Sequence, residues 1–221
     1  MNSETPDKTL YLRISRLWIW GTGIAALVGA GLALTLFPSA AFGRNPTGQF
    51  DWKLVGFALA IGIPFAVSQW LTLRFVPRYR KTANISFLVL WIPITSIGIT
   101  LMMLPLWWTD AVVFFVAPWT AAIVMLPGMI FLGLGQWLVL YRVINARIIW
   151  VLRTIAGAAI GAVLGLVVAF GFSFLSLPLE ATWAFVLGAS IGALQRSALA
   201  SDLDTDLRRR EQPKIHSSTG L

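Results

Sequence analysis

The sequence predicts an all-α integral membrane protein. We expect six transmembrane helices forming three tandem αα-hairpins about a pseudo-threefold axis along the membrane normal. Three observations carry this expectation. Of 221 residues, 57% are apolar and 12% charged, where soluble domains hold about a quarter charged residues; the mean hydropathy is +0.78. Apolar runs recur at roughly the 20 residues needed to cross a hydrocarbon core of about 30 Å. A glutamine recurs in every second run, in the same local setting.

The runs fall at about 14–37, 53–74, 85–107, 118–141, 148–174 and 181–200, between a tail at 1–13 and a tail at 201–221. The opening MNSETPDK is polar and mixed in charge, unlike a cleaved signal peptide. The first run carries Ala26, Gly29, Ala30 and Ala33, and the Ala26/Ala30 pair forms a small-residue face. The second closes on Gln69-Trp70 and then Arg74. The third ends in Trp107-Trp108, which suits a headgroup-level aromatic belt.

From Ala111 to Tyr141 no residue is charged, and as one helix this stretch is about 46 Å long. Pro118 and Pro127-Gly128 interrupt it, so a kink, a tilt or a short interfacial helix before Pro118 is expected. Whether residues 111–118 belong to the fourth span is open at this point. The fifth run presents Gly157, Gly161 and Gly165 at four-residue intervals, and the sixth presents Gly188 and Gly192. These glycines, with Gly133 on the fourth, permit close backbone approach between helices.

Charge orients the spans. With both termini cytoplasmic, all but Arg44 and Lys53 of the 17 basic residues lie on the cytoplasmic side, and the short outer turns hold Asp110 and Glu180. Arg153, near the start of the fifth span, can snorkel to the interface. The formal charge of +8 therefore reads as membrane orientation and not as nucleic-acid binding. Arg78, Arg80 and Lys81, and the tail residues Arg208, Arg209 and Arg210, are the candidates for lipid or partner contact.

The repeat rests on "AVSQWLTLR", "GLGQWLVLYR" and "GALQRSAL". Each sets a small residue three positions before a glutamine (Gln69, Gln136, Gln195) and a leucine four after it. The preceding odd runs, "WIWGTGIAALVGAG", "LVLWIPITSIGIT" and "VLRTIAGAAIGAVLG", correspond more loosely. Repeat boundaries fall at about 14–82, 83–147 and 148–200. The glutamines should then share one depth as an intramembrane polar ring, either tying hairpins together or facing a cavity. The pattern resembles a group of uncharacterised bacterial, notably cyanobacterial, multi-pass proteins with recurrent Gly-x-x-x-Gly-x-x-Gln-Trp-x-x-Leu-Arg hairpins. Pro127–Arg153 carries the likeness best, and the third copy departs with Arg196 in place of Trp. The resemblance implies a bacterial inner or thylakoid membrane and no activity.

The absences bear on function. Apart from Lys53 at the outer edge of the second, the expected spans hold no Asp, Glu, His or Lys, whereas proton-coupled transport and Schiff-base chemistry need such groups in the membrane. His216 lies in the tail, and there is no cysteine, so no intramembrane His or Cys metal or haem site is expected. Asn45-Pro46-Thr47 has Pro where a glycosylation acceptor forbids it. Asp202, Asp204 and Asp206 begin like a calcium loop, but Leu207 stands at the turn glycine and Pro213 at the closing glutamate. No enzyme activity, metal or cofactor is expected, although lipid or pigment contact is open. The sequence favours a non-catalytic accessory, scaffold or assembly subunit of a larger membrane complex, photosynthetic complexes included. One alternative is the substrate-binding membrane component of a vitamin-like uptake transporter, which the chain resembles in size, span count and topology. Another is a carotenoid- or chlorophyll-contacting subunit.

Overall fold

The computed structural model describes residues 8–38, 52–75, 85–108, 117–144, 148–172 and 178–211. The described chain is helical throughout: α1 Lys8–Leu36, α2 Trp52–Phe75, α3 Ile85–Trp108, α4 Trp119–Ile144, α5 Ile149–Phe172 and α6 Leu179–Glu211. Five of the six, α1 to α5, contain a stretch long and apolar enough to cross a membrane. Their outward residues are large and apolar: Leu17, Ile24, Val28 and Leu32 on α1, and Leu152, Ile160, Leu164 and Val167 on α5. A surface of this kind is stable against lipid and costly against water. The chain is a multi-pass membrane protein on that ground.

α6 is different. It runs for 33 residues, about 50 Å, and bears Glu180, Arg196 and a charged final third. The tail expected from residue 201 starts instead as helix, continuing to Glu211. No Gly or Pro occurs there to stop it before Pro213. The fourth element starts within one residue of the expected position. Pro118 precedes the helix, which opens at Trp119 as proline's fixed φ and missing N–H favour at such a boundary. Pro127 then sits inside a continuous helix. Pro64, Pro93 and Pro105 are likewise internal, to α2 and α3. Residues 111–116 lie outside the described residues, as do Arg78, Arg80, Lys81, Asp110 and Asn45-Pro46-Thr47.

Each helix packs on its neighbours in sequence, and α6 closes onto α1, so the six form a closed ring. Glycines set the closest approaches. A Cβ added to Gly157 would lie 2.8 Å from Ile191 Cα, one on Gly161 2.8 Å from Leu187 Cα, and one on Gly165 2.8 Å from Trp183 Cδ1. Descending α5 thus ascends α6, the antiparallel register of a hairpin. Gly29 meets the Ala60–Ile61 backbone of α2, and Gly188 meets Thr22 O of α1 at 2.8 Å from the added Cβ. Gly128, next to Pro127, lies against the Leu101–Met102 backbone of α3. Such contacts substitute backbone dispersion for a hydrophobic drive that lipid does not supply.

The core divides into two clusters. We call proximal the half where α1 begins and α6 ends, and distal the other. The distal cluster holds Ala26, Ala30, Phe57, Phe65, Ile99, Met102, Met125, Met129, Leu132, Ala158, Ala162 and Ile191. The proximal cluster holds Trp18, Leu73, Phe87, Trp91, Leu140, Trp150 and Leu199.

Candidate functional site

Between the two clusters lie the three glutamines. Gln69, Gln136 and Gln195 are each 0% exposed. Gln69 Nε2 donates to Gln195 Oε1 at 2.9 Å, Gln195 Nε2 to Gln136 Oε1 at 2.8 Å, and Gln136 Nε2 to Gln69 Oε1 at 3.0 Å. The cycle closes with every donor pointing the same way round. These residues come from α2, α4 and α6, so one small network fixes the rotation of three separate helices. Each glutamine is positioned by its own turn. Phe65, Leu132 and Ile191, four residues before, belong to the distal cluster, and Leu73, Leu140 and Leu199, four after, belong to the proximal one. Side chains four apart share a helix face, so the inward stripe of each helix reads apolar, Gln, Leu across the ring.

The odd helices supply an outer shell. Gln136 Nε2 also donates to Thr95 Oγ1 at 3.2 Å, and Gln195 Nε2 to Thr154 Oγ1 at 2.9 Å. The Thr154 hydroxyl in turn donates a hydrogen bond to Trp150 O at 2.9 Å. Both N–H groups of Gln136 and Gln195 are thereby used, as a buried amide requires. The α1 counterpart behaves otherwise. Thr22 Oγ1 lies within hydrogen-bonding reach of Trp18 O (2.8 Å), Ile19 O (2.9 Å) and Gly188 O (3.1 Å), all carbonyls. Its hydroxyl is turned toward α6, in close contact with Gly192, and ties α1 to that helix instead of to Gln69.

One turn before each threonine stands a tryptophan: Trp18 before Thr22, Trp91 before Thr95, Trp150 before Thr154. All three indoles are at most 1% exposed. Trp18 and Trp150 meet edge to face at 6.1 Å, and Phe87 stacks on Trp91 at 5.3 Å. The indole Nε1 atoms of all three, with Trp70 Nε1, Ser96 Oγ and Arg153 NH1, are buried and have no hydrogen-bond partner.

The Trp-x-x-x-Thr pair was the feature that glutamine spacing did not reveal. Comparing odd runs as apolar segments starts the third at Val151, one residue past Trp150. The pair is nonetheless visible once the buried partners of the glutamines are sought one helix earlier.

The other candidate residues fall as follows. Ala26 and Ala30 are buried in the distal core, with Ala26 against Gly188. Gly133 faces Val151 of α5, its added Cβ 3.2 Å from Val151 Cγ1. Gly157, Gly161 and Gly165 face α6, while Gly188 and Gly192 face α1. Trp70, after Gln69, lies under Arg74, whose guanidinium carbon is 5.4 Å from the ring. Trp137, after Gln136, meets Tyr141 at 5.6 Å. Arg153, expected to snorkel, is half-buried with its NH1 enclosed. Arg208, Arg209 and Arg210 lie on the last turns of α6, where only the backbone is described.

Distal to the ring is a cavity of about 10 Å³ lined by Ala26, Ile61, Phe65, Ile99, Met103, Trp183, Ala184, Leu187, Gly188 and Ile191. That volume sits at the lower limit for one water, and apolar walls give a water nothing to bond. Among the described residues no three His, Cys, Asp or Glu side chains group as a metal site would need. The ring is built of amides and hydroxyls, which carry no charge near neutral pH. Its chemical capacity is hydrogen bonding. Comparison with protein-family models, with curated proteins and with solved structures returns no match in any of the three.

Proposed function

We propose that the chain is a non-catalytic six-span bundle that serves as an accessory, scaffold or assembly subunit of a larger membrane complex. One observation carries this reading. The three glutamines, the strongest candidates for contact with a substrate, spend their amide groups on one another and on Thr95 and Thr154. A network closed in this way holds helices together and offers little to a ligand. The outward face is broad, apolar and aromatic, with Trp20, Trp52 and Trp119 all more than half exposed, and suits lipid or the helices of other subunits.

Three hairpins in tandem, related by a pseudo-threefold axis, are the architecture we infer. The cyclic glutamines and the threefold recurrence of Trp-x-x-x-Thr support it. The first hairpin differs in its threonine, which turns to α6, and the third in Arg196, which replaces the tryptophan. α6 is the sixth span on this reading, its apolar part ending near Ala200, with both termini on the basic, cytoplasmic side of a bacterial inner or thylakoid membrane. The dry cavity beside the ring lends no support to a vitamin-sized substrate.

The test is copurification from native membranes after mild solubilisation. We expect a stable complex containing other membrane subunits. A protein migrating alone at native abundance would overturn the proposal.

A further inference from the structure

We propose that the proximal face of the glutamine ring is a hydration site, in which ordered water accepts from the indole N–H groups of Trp18, Trp91 and Trp150 and donates to the ring's amide oxygens. The three indoles are fully buried and their N–H groups have no acceptor. Buried donors left unpaired are rare in native proteins, and a buried indole N–H usually finds a partner. On the ring, each of the three Oε1 atoms accepts one amide hydrogen bond, and a carbonyl oxygen has two lone pairs. Trp91 and Trp150 each precede by one helical turn, about 6 Å of axial rise, a threonine that bonds the ring, and Trp18 packs edge to face on Trp150.

That offset is too long for a direct bond and suits a bridge. One water bonded at about 2.9 Å to two partners at its tetrahedral angle spans about 4.7 Å, and two waters in series span about 6 Å. The guest must both accept from nitrogen and donate to oxygen. An anion meets the first requirement and fails the second. Water meets both, and buried water commonly bridges polar groups that would otherwise go unpaired. The cavity distal to the same ring is walled by apolar residues and offers a water nothing to bond. This inference does not depend on which subunits surround the bundle.

The test is magnetisation transfer from water to indole N–H groups in ¹⁵N-labelled protein held in lipid nanodiscs, with resonances assigned by through-bond correlation on the unmodified chain. We expect water cross-peaks at Trp18, Trp91 and Trp150. Trp183 serves as the dry control, since it is equally buried in the distal half and its Nε1 donates to Ala162 O at 3.3 Å. Three indoles as silent toward water as Trp183 would overturn the proposal. So would resonance shifts at these indoles when chloride is exchanged for nitrate, because the guest would then be an anion.

Discussion

The two halves of this bundle solve helix packing in opposite ways. Distal to the glutamines the helices meet through missing side chains: Gly29, Gly62, Gly98, Gly128, Gly157, Gly161, Gly188 and Gly192 each bring a backbone against a neighbour. Proximal to them, the same helices meet through the largest side chains, Trp18, Trp91 and Trp150, with Phe87 and three leucines between. The distal half gains dispersion from close backbones. The proximal half gains it from indole area, and keeps polar atoms in its core. Glutamines stand at the changeover, where each amide is long enough to reach two others across the ring. The lesson is that an apolar bundle in an apolar solvent still needs position-specific devices, and that their kind changes along its length.

The largest expected effect breaks the distal half. Gly161→Leu would drive a side chain into Leu187, whose Cα lies 2.8 Å from the added Cβ. Backbone cannot rotate aside as a side chain can. We expect a loss of about 3 kcal/mol or more, read as a shifted midpoint of unfolding in mixed micelles, with poor membrane accumulation. Unchanged stability would show that α5 and α6 are not held this closely.

Next comes the boundary itself. Gln136→Met removes three hydrogen bonds and strands partners on Gln69, Gln195 and Thr95, at a cost of about 1–3 kcal/mol for the buried groups left unsatisfied. Replacing all three glutamines with Met strands no amide. The triple variant should therefore lose distinctly less than the sum of the three single variants. Simple additivity would mean that the amides do not act as one network.

Smaller again is the effect on the ring's shell. Thr154→Val deletes the acceptor for Gln195 and the tie to Trp150 O, worth about 0.6–2 kcal/mol in a membrane interior. The same change at Thr22 leaves the ring's hydrogen bonds intact. Its effect on stability should simply add to that of Gln69→Met, whereas Thr154→Val and Gln195→Met should be coupled in a double-mutant cycle.

How far all this was legible in sequence follows from the solvent. Helix positions could be read because breakers and charges end the apolar runs, and Gln69, Gln136 and Gln195 could be singled out because an amide in hydrocarbon must find a partner. Which partner could not be read. In a water-soluble helix the apolar stripe declares the inward face. Here Leu152 faces outward and Val151 inward, and both are equally apolar. Trp-x-x-x-Thr escaped for the same reason, since Trp18 is buried and Trp20 exposed within a single "WIW". The helical course of Ser201–Glu211 was hidden because charge was taken to mean a tail, although charge alone does not stop a helix.

The smallest expected effect tests whether glycine matters by place and not by type. Gly31 on α1 and Gly171 on α5 face open space, with nothing within 4 Å of an added Cβ. Both lie on helices that use other glycines at contacts, so the sequence alone gives no reason to separate them from Gly29 or Gly165. Alanine at either position meets no neighbour and gives up glycine's backbone freedom in the unfolded state, which favours the helix by about 0.5–1 kcal/mol. Gly31→Ala should thus leave the unfolding midpoint unchanged or slightly raised. Gly29→Ala, two residues away with its added Cβ 2.7 Å from Ile61 Cα, should lower it. If both fell together, glycine would be serving α1 as flexibility along the helix, and the contrast between backbone-packed and indole-packed halves would lose its physical basis.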